Sequence, residues 1–221
     1  MPGFGDFDPL YFAAIIVTFV IAITVHEFMH AWTAWMLGDD TARLLGRVSL
    51  NPVVHFDPVG ALLFLLIALG FPGIAWGRPV PVNEFRLRPA GRFGRQGSMG
   101  LVAFAGPISN VVLGALAAGI LRFASFLGTS LGEAEQFLWI FMIVNFSLAA
   151  FNMIPLPPLD GSRILSAILP PFWRPVLAPL ERYGVPILIL LLIFGRGIGS
   201  EIISGITTPV LGLLMKVFAG D

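Results

Sequence analysis

The sequence contains no cysteine. This absence excludes disulfide bonds, a cysteine nucleophile and a metal site built on thiolates. Histidine is also scarce, with three residues in 221, and only 12% of the residues are charged, against about a quarter in a typical soluble domain. Any metal centre must therefore be built from histidine, aspartate and glutamate side chains.

An excess of charge of either sign is missing too. The 13 basic and 13 acidic residues cancel, and Lys216 is the only lysine. Because no basic stretch is present to neutralise phosphates, we expect no nucleic-acid partner. What the sequence has in abundance is apolar residues, at 57% of the chain, which predicts an integral membrane protein in contact with the lipid bilayer.

The apolar residues fall into six runs. These runs are residues 10–37, 61–74, 99–127, 137–154, 185–194 and 202–218. A helix needs about 20 residues to cross the hydrocarbon core, so the first, third and fourth runs are the candidate spans. We therefore expect an all-α polytopic membrane protein with a core of three transmembrane helices. We interpret residues 1–221 as a single membrane domain, with its core at about residues 10–165 and a C-terminal helical region at residues 166–221.

The second run has 14 residues and is bounded by Gly60 and Pro72. It is short for a crossing, so a re-entrant segment and a tilted span are both open. The arginine distribution favours the re-entrant segment: seven arginines lie at residues 38–97, acidic residues occupy the loop at 128–136, and three arginines return at 155–184. By the positive-inside rule, this pattern places the N-terminus outside and the C-terminal end of the first span nearer the cytoplasm.

The first span carries a metal-binding pattern, His26-Glu27-Phe28-Met29-His30. Residues four apart lie on one face of a helix, so His26 and His30 can present two imidazoles to one ion. Glu27 lies beside them, where a carboxylate can act as a general base. Ionisable groups cost about 2.5–3.5 kcal/mol each at the centre of a membrane helix, which favours function over accident. The pattern predicts zinc chemistry inside a membrane.

A third protein ligand must be His55 or a carboxylate. The fourth run ends at three prolines between residues 155 and 158, which interrupt the helix just before Asp160. Broken backbone at membrane depth is tolerated where protein or water satisfies it, so this position is typical of a site, and Asp160 can supply an oxygen ligand. Capping of a helix that begins at Gly161 is an equally good interpretation of Asp160. His55 lies in a proline-bounded loop at the interface, and we leave it out of the metal site.

Several stretches carry a family resemblance. They are residues 26–30, residues 105–110 (Ala-Gly-Pro-Ile-Ser-Asn), residues 152–161 (Asn-Met-Ile-Pro-Leu-Pro-Pro-Leu-Asp-Gly), and the shorter stretches 46–52 and 76–83. In order and spacing they resemble the site-2 protease family of intramembrane zinc metalloproteases, in its compact branch without a large inserted domain. The resemblance covers roughly residues 20–165.

The resemblance implies a zinc metalloendopeptidase with one Zn²⁺ per chain. In it, the zinc ligands are His26, His30 and Asp160, the catalytic acid and base is Glu27, and Asn152 contacts the substrate or the developing oxyanion. Interpreted from the residues alone, Asn152 is as readily a helix cap or an inter-helix hydrogen-bond donor. The resemblance also implies hydrolysis of a peptide bond within or near a transmembrane helix of a single-span membrane protein, in the plasma membrane of a prokaryote. The arginine distribution places the active site nearer the cytoplasmic face.

Other features keep more than one interpretation at this point. Gly106 and Asn110 are interpreted as packing residues between spans. Residues 78–88 are either an extended edge that pairs with an unwound substrate strand or an interfacial loop anchored by Trp76. The alternative functions are a proteolytically inactive membrane scaffold and a zinc-binding or zinc-transport protein. The presence of Glu27 argues against the scaffold, and the single dense cluster argues against the transport protein.

Overall fold

The computed structural model describes residues 8–69, 76–193 and 198–220, and these residues form helices and no strands. The α-helices described are α1 Pro9–Met36, α2 Thr41–Leu44, α3 Pro58–Ala68, α4 Gly94–Phe126, α5 Glu133–Asn152, α6 Asp160–Ile168, α7 Arg174–Ile193 and α8 Ile198–Leu214. Short 3₁₀ turns lie at Pro52–His55, Glu84–Arg86, Gly91–Phe93 and Pro171–Trp173, and a π-helical turn, Met215–Ala219, follows α8. Among these described helices, α1, α4 and α5 are long and apolar enough to cross a membrane, which confirms the predicted all-α fold with a three-span core.

The first span, α1, lies against both other spans. It begins at Pro9, where the Asp8 carboxylate accepts hydrogen bonds from two backbone amides of the first turn. Its 28 residues extend about 42 Å, which exceeds the roughly 30 Å of a hydrocarbon core. The α4 and α5 helices pack on each other through fully buried Phe146 and Met142, which contact Ala117 and Ala118.

The second apolar run ends beside the point at which it begins. The described helix in this run, α3, has 11 residues and a length of about 16 Å, too short for a span. Gly60 near its start packs on the carbonyl oxygen of Trp76, which would lie 2.0 Å from an added Cβ atom, and the Arg78 amide donates to the carbonyl oxygen of His55 at 2.8 Å. The two ends of the excursion therefore lie side by side, in agreement with the re-entrant interpretation. Residues 70–74 of the run lie outside the described residues.

After this excursion the chain runs along α1 as an extended segment, residues 77–83, which we call the edge segment. Val80 is buried and Val82 half-buried, whereas Pro79 and Pro81 are exposed, and this period of two is that of an extended strand. Val80 packs against two small residues, Ala31 and Ala42, of α1 and α2. The extended interpretation of residues 78–88 agrees with the structure as far as Asn83 and is wrong at Glu84–Arg86, which form a 3₁₀ turn.

The remaining helices pack around the three spans. The short α6 contacts α4, and α8 contacts both α5 and α7. The last two apolar runs fall mainly within α7 and α8, while residues 194–197 between these helices lie outside the described residues. The division into a core and a C-terminal helical region stays a prediction.

Candidate metal centre

Asp160 is brought to the first span by the break after α5. That helix ends at Asn152, the proline-rich loop turns the chain, and α6 begins at Asp160 itself. Gly161 allows the turn, because an added Cβ atom there would lie 2.3 Å from the carbonyl oxygen of Met153. The Asp160 carboxylate makes no capping hydrogen bond and points at the histidines of α1 instead, so the interpretation of Asp160 as a helix cap is wrong.

Three potential ligand atoms converge between α1 and α6. Nε2 of His26 lies 3.0 Å from Nε2 of His30, and Oδ2 of Asp160 lies 3.1 and 3.3 Å from these two nitrogens. A tetrahedral zinc ion with bonds of about 2.0–2.2 Å holds its ligand atoms roughly 3.3 Å apart. The triangle has the dimensions that zinc requires.

The other ring nitrogens determine how the two imidazoles point. Nδ1 of His26 lies 2.7 Å from Oδ1 of Asn110, and Nδ1 of His30 lies 2.7 Å from the carbonyl oxygen of Val102. Both partners are acceptors, so each Nδ1 carries the proton and each Nε2 of the neutral ring keeps a lone pair. Two lone pairs thus face the buried Oδ2 of Asp160, which has no hydrogen-bond partner. This donor set fits a divalent cation such as zinc.

Interpreting Asn110 as a packing residue is incomplete. Its amide nitrogen donates to the carbonyl oxygen of Ala22 at 3.1 Å and to Oδ1 of Asn145 at 3.0 Å. Both asparagines are fully buried. These bonds hold the Asn110 oxygen toward His26, so residues of α4 and α5 orient a ligand on α1. The signal in the sequence is a lone amide inside an otherwise apolar span.

Gly106 also contacts the site directly. An added Cβ atom at Gly106 would lie 2.4 Å from Nε2 of His30 and 2.7 Å from Cε1 of His26. The interpretation of Gly106 as a packing residue is confirmed, and the group it packs against is the pair of imidazoles. The α4 backbone therefore closes one side of the ligand triangle.

Glu27 lies next to His26 on α1 and is 8% exposed. Its carboxylate faces the start of the edge segment, because an added Cβ atom at Gly77 would lie 3.2 Å from Oε1 of Glu27. The edge segment thus bounds the space on one side of this carboxylate, and His26, the preceding residue of α1, belongs to the ligand triangle. A carboxylate in this position can accept and return a proton during attack on a bond held between the triangle and the segment.

The two remaining candidate residues make other contacts. The Asn152 side chain donates to the carbonyl oxygen of Leu148 at 3.0 Å, within α5, and its catalytic role stays a prediction. His55 is fully buried in its proline-bounded loop, and its Nε2 donates to the carbonyl oxygen of Ser49 at 2.7 Å. Its interfacial position stays a prediction. Burial lowers the pKa of His55, and the positive charge of Arg47 lowers it further. The metal-binding cluster found among the described residues does not include His55.

The class of the protein follows from the fold and the site together. Two histidines four residues apart, with a glutamate after the first, are the arrangement of zinc peptidases, in which a carboxylate can be the third ligand. Here the arrangement lies on a helix that is long enough to cross a membrane. A membrane-embedded metallopeptidase is the class that these features define.

Comparison with known proteins then gives the family. The model of peptidase family M50 matches residues 14–195, and the chain belongs to this family. It is 34% identical over 212 residues to the "putative zinc metalloprotease YwhC" of Bacillus subtilis, covering 93% of this chain and 90% of that protein. It is 31% identical over 186 residues to the "putative zinc metalloprotease Rip2" of Mycolicibacterium smegmatis, covering 82% and 67%. No solved structure matches the chain with significance.

The family and the names of these relatives identify the protein as a zinc metallopeptidase, and they confirm Zn²⁺ as its metal. A third relative, the "zinc metalloprotease MJ0392" of Methanocaldococcus jannaschii, is 26% identical over 135 residues, covering 57% of this chain and 38% of that protein. The apolar helices and the family together establish an integral membrane protein.

Proposed function

We propose that this protein hydrolyses a peptide bond within or near the membrane span of a single-span membrane protein. The zinc ligands in this proposal are His26, His30 and Asp160, and the acid and base is Glu27. The observation that carries the proposal is the depth of the ligand triangle in the bundle. His26 lies ten residues before Met36, the last residue of α1, which is about 15 Å along the helix axis. A substrate peptide bond at the depth of His26 lies in or close to the hydrocarbon core of the bilayer.

The chemistry follows from the groups around the triangle. A zinc ion held there supplies Lewis acidity and lowers the pKa of water. Glu27 takes the proton of the attacking water and returns it to the leaving amine of the cleaved bond. Asn152 is our candidate donor to the oxyanion, a role for which its amide would turn away from Leu148.

The edge segment supports docking of an unwound substrate. A helix engages its own carbonyl groups in hydrogen bonds, so a substrate helix has to unwind locally before attack. The backbone groups of Val80 and Val82 make no hydrogen bond to other described residues. The N–H and C=O of one residue leave an extended strand on the same side, so these two valines offer four groups along one edge. We propose that the substrate strand pairs with this edge.

A cavity with charged side chains in its wall supports a route for water. It has a volume of about 660 Å³ and is lined in part by Pro157, Pro158 and Ser162, around the loop that carries Asp160. Charged and amide side chains, among them Arg163, also line it. Water has to reach Glu27 from the aqueous phase, and this cavity is our candidate path.

The relatives and the charge distribution support a location and an orientation. The relatives named above come from bacteria and an archaeon, which supports the plasma membrane of a prokaryote. The arginine-rich stretch at residues 38–97 follows the end of α1 that lies nearer the ligand triangle. By the positive-inside rule, this end and the active site lie nearer the cytoplasmic face.

The test uses the full chain purified in detergent. Zinc content and cleavage of a single-span membrane protein are measured for the wild type, for Glu27→Gln, and for Glu133→Gln as a matched control at an exposed residue. We expect one zinc per chain in all three proteins, because Glu27 is not a ligand in the proposal. We expect cleavage by the wild type and by Glu133→Gln, and none by Glu27→Gln.

Two results would overturn the proposal. Zinc without cleavage in the wild type would favour a scaffold or a zinc-transport protein. Absence of zinc from freshly purified wild type would contradict the assignment of His26, His30 and Asp160 as ligands.

A further inference from the structure

Arg47 is a buried cation that the chemistry above does not use. The residue is 5% exposed, and its guanidinium donates hydrogen bonds to the carbonyl oxygens of Val54, Arg78 and Pro79, the last at 3.1 Å. Burial of a charge costs free energy unless polar groups compensate for it, and these three carbonyls do so. Arg78 and Pro79 belong to the edge segment. Arg47 therefore ties the start of that segment to the loop at Val54.

Asp39 makes the corresponding contact at the other end of the edge segment. It is fully buried, and its Oδ2 accepts a hydrogen bond from the backbone amide of Asn83 at 2.6 Å. Its Oδ1 accepts from the backbone amide of Thr41 at 3.0 Å. Hydrogen bonds to an ionised acceptor are shorter and stronger than neutral ones. We call Arg47 and Asp39 the anchor pair, because a guanidinium holds one end of the segment and a carboxylate holds the other.

From Pro79 to Asn83, the anchored groups fall on one edge of the segment. The Arg78 carbonyl, which Arg47 also binds, lies on the other side before this stretch, so the open edge begins at Val80. The anchor pair binds the carbonyl oxygen of Pro79 and the amide of Asn83. Pro81 lies between them and has no N–H that would need a partner. Residues two apart in an extended chain direct their N–H and C=O groups to the same side. Pro79, Pro81 and Asn83 therefore form a closed edge, and Val80 and Val82 form the open one.

The edge segment begins close to the catalytic carboxylate. Gly77, at the start of the segment, lies against Oε1 of Glu27. A substrate strand paired with Val80 and Val82 takes its position from the segment, so any displacement of the segment also displaces the substrate. A misplacement of about 1 Å can reduce the rate of an enzyme by roughly 100-fold.

We infer that Arg47 and Asp39 are positioning residues that hold the edge of Val80 and Val82 open and in place beside Glu27, so that a paired substrate strand presents its scissile carbonyl in register. The anchor pair acts through the edge segment and touches neither the substrate nor the metal ligands. This inference rests on the proposed function, because it requires a substrate strand that pairs with the edge.

The first test measures the mobility of the edge segment. Because the chain has no cysteine, Pro81→Cys carries a single nitroxide label, and its electron paramagnetic resonance spectrum reports local motion. We expect an immobile label in the otherwise wild-type chain and a mobile label after Arg47→Met or Asp39→Asn. The matched controls are Arg86→Met and Asp40→Asn, an exposed ion pair nearby whose loss should leave the label immobile.

The second test links mobility to substrate pairing. A synthetic transmembrane peptide is cleaved, and the cut is mapped by mass spectrometry. Two further peptides are then compared: one carries N-methyl groups on the amides near the cut that face the edge segment, and the other carries them on the intervening amides. In the wild type we expect N-methylation on the pairing side to lower kcat/KM by about 10–100-fold. In Arg47→Met we expect both peptides to react at the same low rate, with zinc content unchanged. A merely structural role would slow both peptides equally and preserve the difference between them.

The results separate the inference from the proposed function. If Arg47→Met does not fold, Arg47→Lys replaces it, because lysine keeps the charge and loses the forked geometry. An immobile label together with preserved sensitivity to N-methylation in the variants would overturn the inference and leave the protease activity of the wild type intact. Failure of the wild type to cleave the unmethylated peptide would overturn the proposed function itself.

Discussion

Close approach of α4 to the imidazoles depends on the absence of a side chain at Gly106. A methyl carbon at this position would lie 2.4 Å from Nε2 of His30, well inside van der Waals contact. We expect Gly106→Ala to weaken zinc binding by about 100-fold, since the ring that supplies a ligand must move. Competition with a chelator measures the affinity.

The control for this prediction lies in the same helix. At Gly119 an added Cβ atom meets nothing within 4 Å, so Gly119→Ala should bind zinc like the wild type and should not destabilise the helix. Equal zinc affinity in the two variants would show that α4 does not press on the ligands.

Orientation of His26 depends on the oxygen of Asn110. Asn110→Ala removes the acceptor of the Nδ1 proton, so the ring loses its preferred tautomer and direction. We expect zinc affinity to fall by about 10–100-fold, measured by chelator competition. Asn145→Ala acts one hydrogen bond further away and should have a smaller effect. If Asn110→Ala binds zinc as tightly as the wild type, the amides do not orient the ligand.

Residues differ in how far the sequence alone predicts their roles. His26, Glu27 and His30 are predictable because one helix fixes their spacing. Asp160 keeps two interpretations, since a local pattern does not say whether its carboxylate meets a backbone amide or a distant imidazole. Asn110 is underestimated for a related reason: its partner depends on which face of α4 meets α1.

The 3₁₀ turn Pro52–His55 introduces a dependence of stability on pH. Protonation of buried His55 would place a second proton on Nδ1, which has no hydrogen-bond partner. Burial lowers the pKa of His55 below its ordinary value of 6.5. The hydrogen bond to the Ser49 carbonyl opposes this effect, Arg47 adds to it and Glu27 opposes it. The unfolded chain therefore binds the proton more readily, so the stability is full above pH 6.5 and decreases as the pH falls below it.

Thermal unfolding in detergent between about pH 8 and pH 5 measures this effect. We expect the melting temperature of the wild type to fall on the acid side of the range and that of His55→Gln to change less. An identical acid response in the two proteins would mean that another group accounts for the pH dependence.

The path of the second apolar run shows what limits prediction at the scale of the element. A run of 14 residues is compatible with a re-entrant segment and with a tilted span. The arginine distribution favours the re-entrant segment. The feature that distinguishes it from a tilted span is the contact between Gly60 and Trp76. Their separation in the sequence gives no sign that they touch. The extended form of the edge segment is easier to predict, because alternating prolines and valines suit neither a helix nor a central strand.

Orientation in the membrane is a property of the whole molecule, and the absence of cysteine makes it measurable. Single cysteines are introduced at exposed positions, Ser130→Cys between α4 and α5 and Leu45→Cys after α2. A membrane-impermeant maleimide should label Ser130→Cys on intact cells and Leu45→Cys only after the membrane is opened, as the positive-inside rule requires. The opposite labelling pattern would invert the topology and place the active site nearer the outer face.

The overall architecture is partly predictable for a simple reason. Hydropathy marks the three spans because the bilayer demands long apolar helices. Which spans are neighbours is set by packing between distant residues, such as Phe146 against Ala117, and a single sequence does not encode these contacts locally. The convergence of His26 and Asp160 is therefore visible only in the folded chain.

The central claim is that the site around Glu27 hydrolyses a peptide bond at the depth of the membrane. The most direct test places the wild type or Glu27→Gln in liposomes with a single-span substrate, in water enriched in heavy oxygen, and identifies the products by mass spectrometry. We predict one cut within or next to the span, with one heavy oxygen atom in the new carboxylate, for the wild type and no product for Glu27→Gln. An intact substrate with the wild type, or the same cut with Glu27→Gln, would contradict the account.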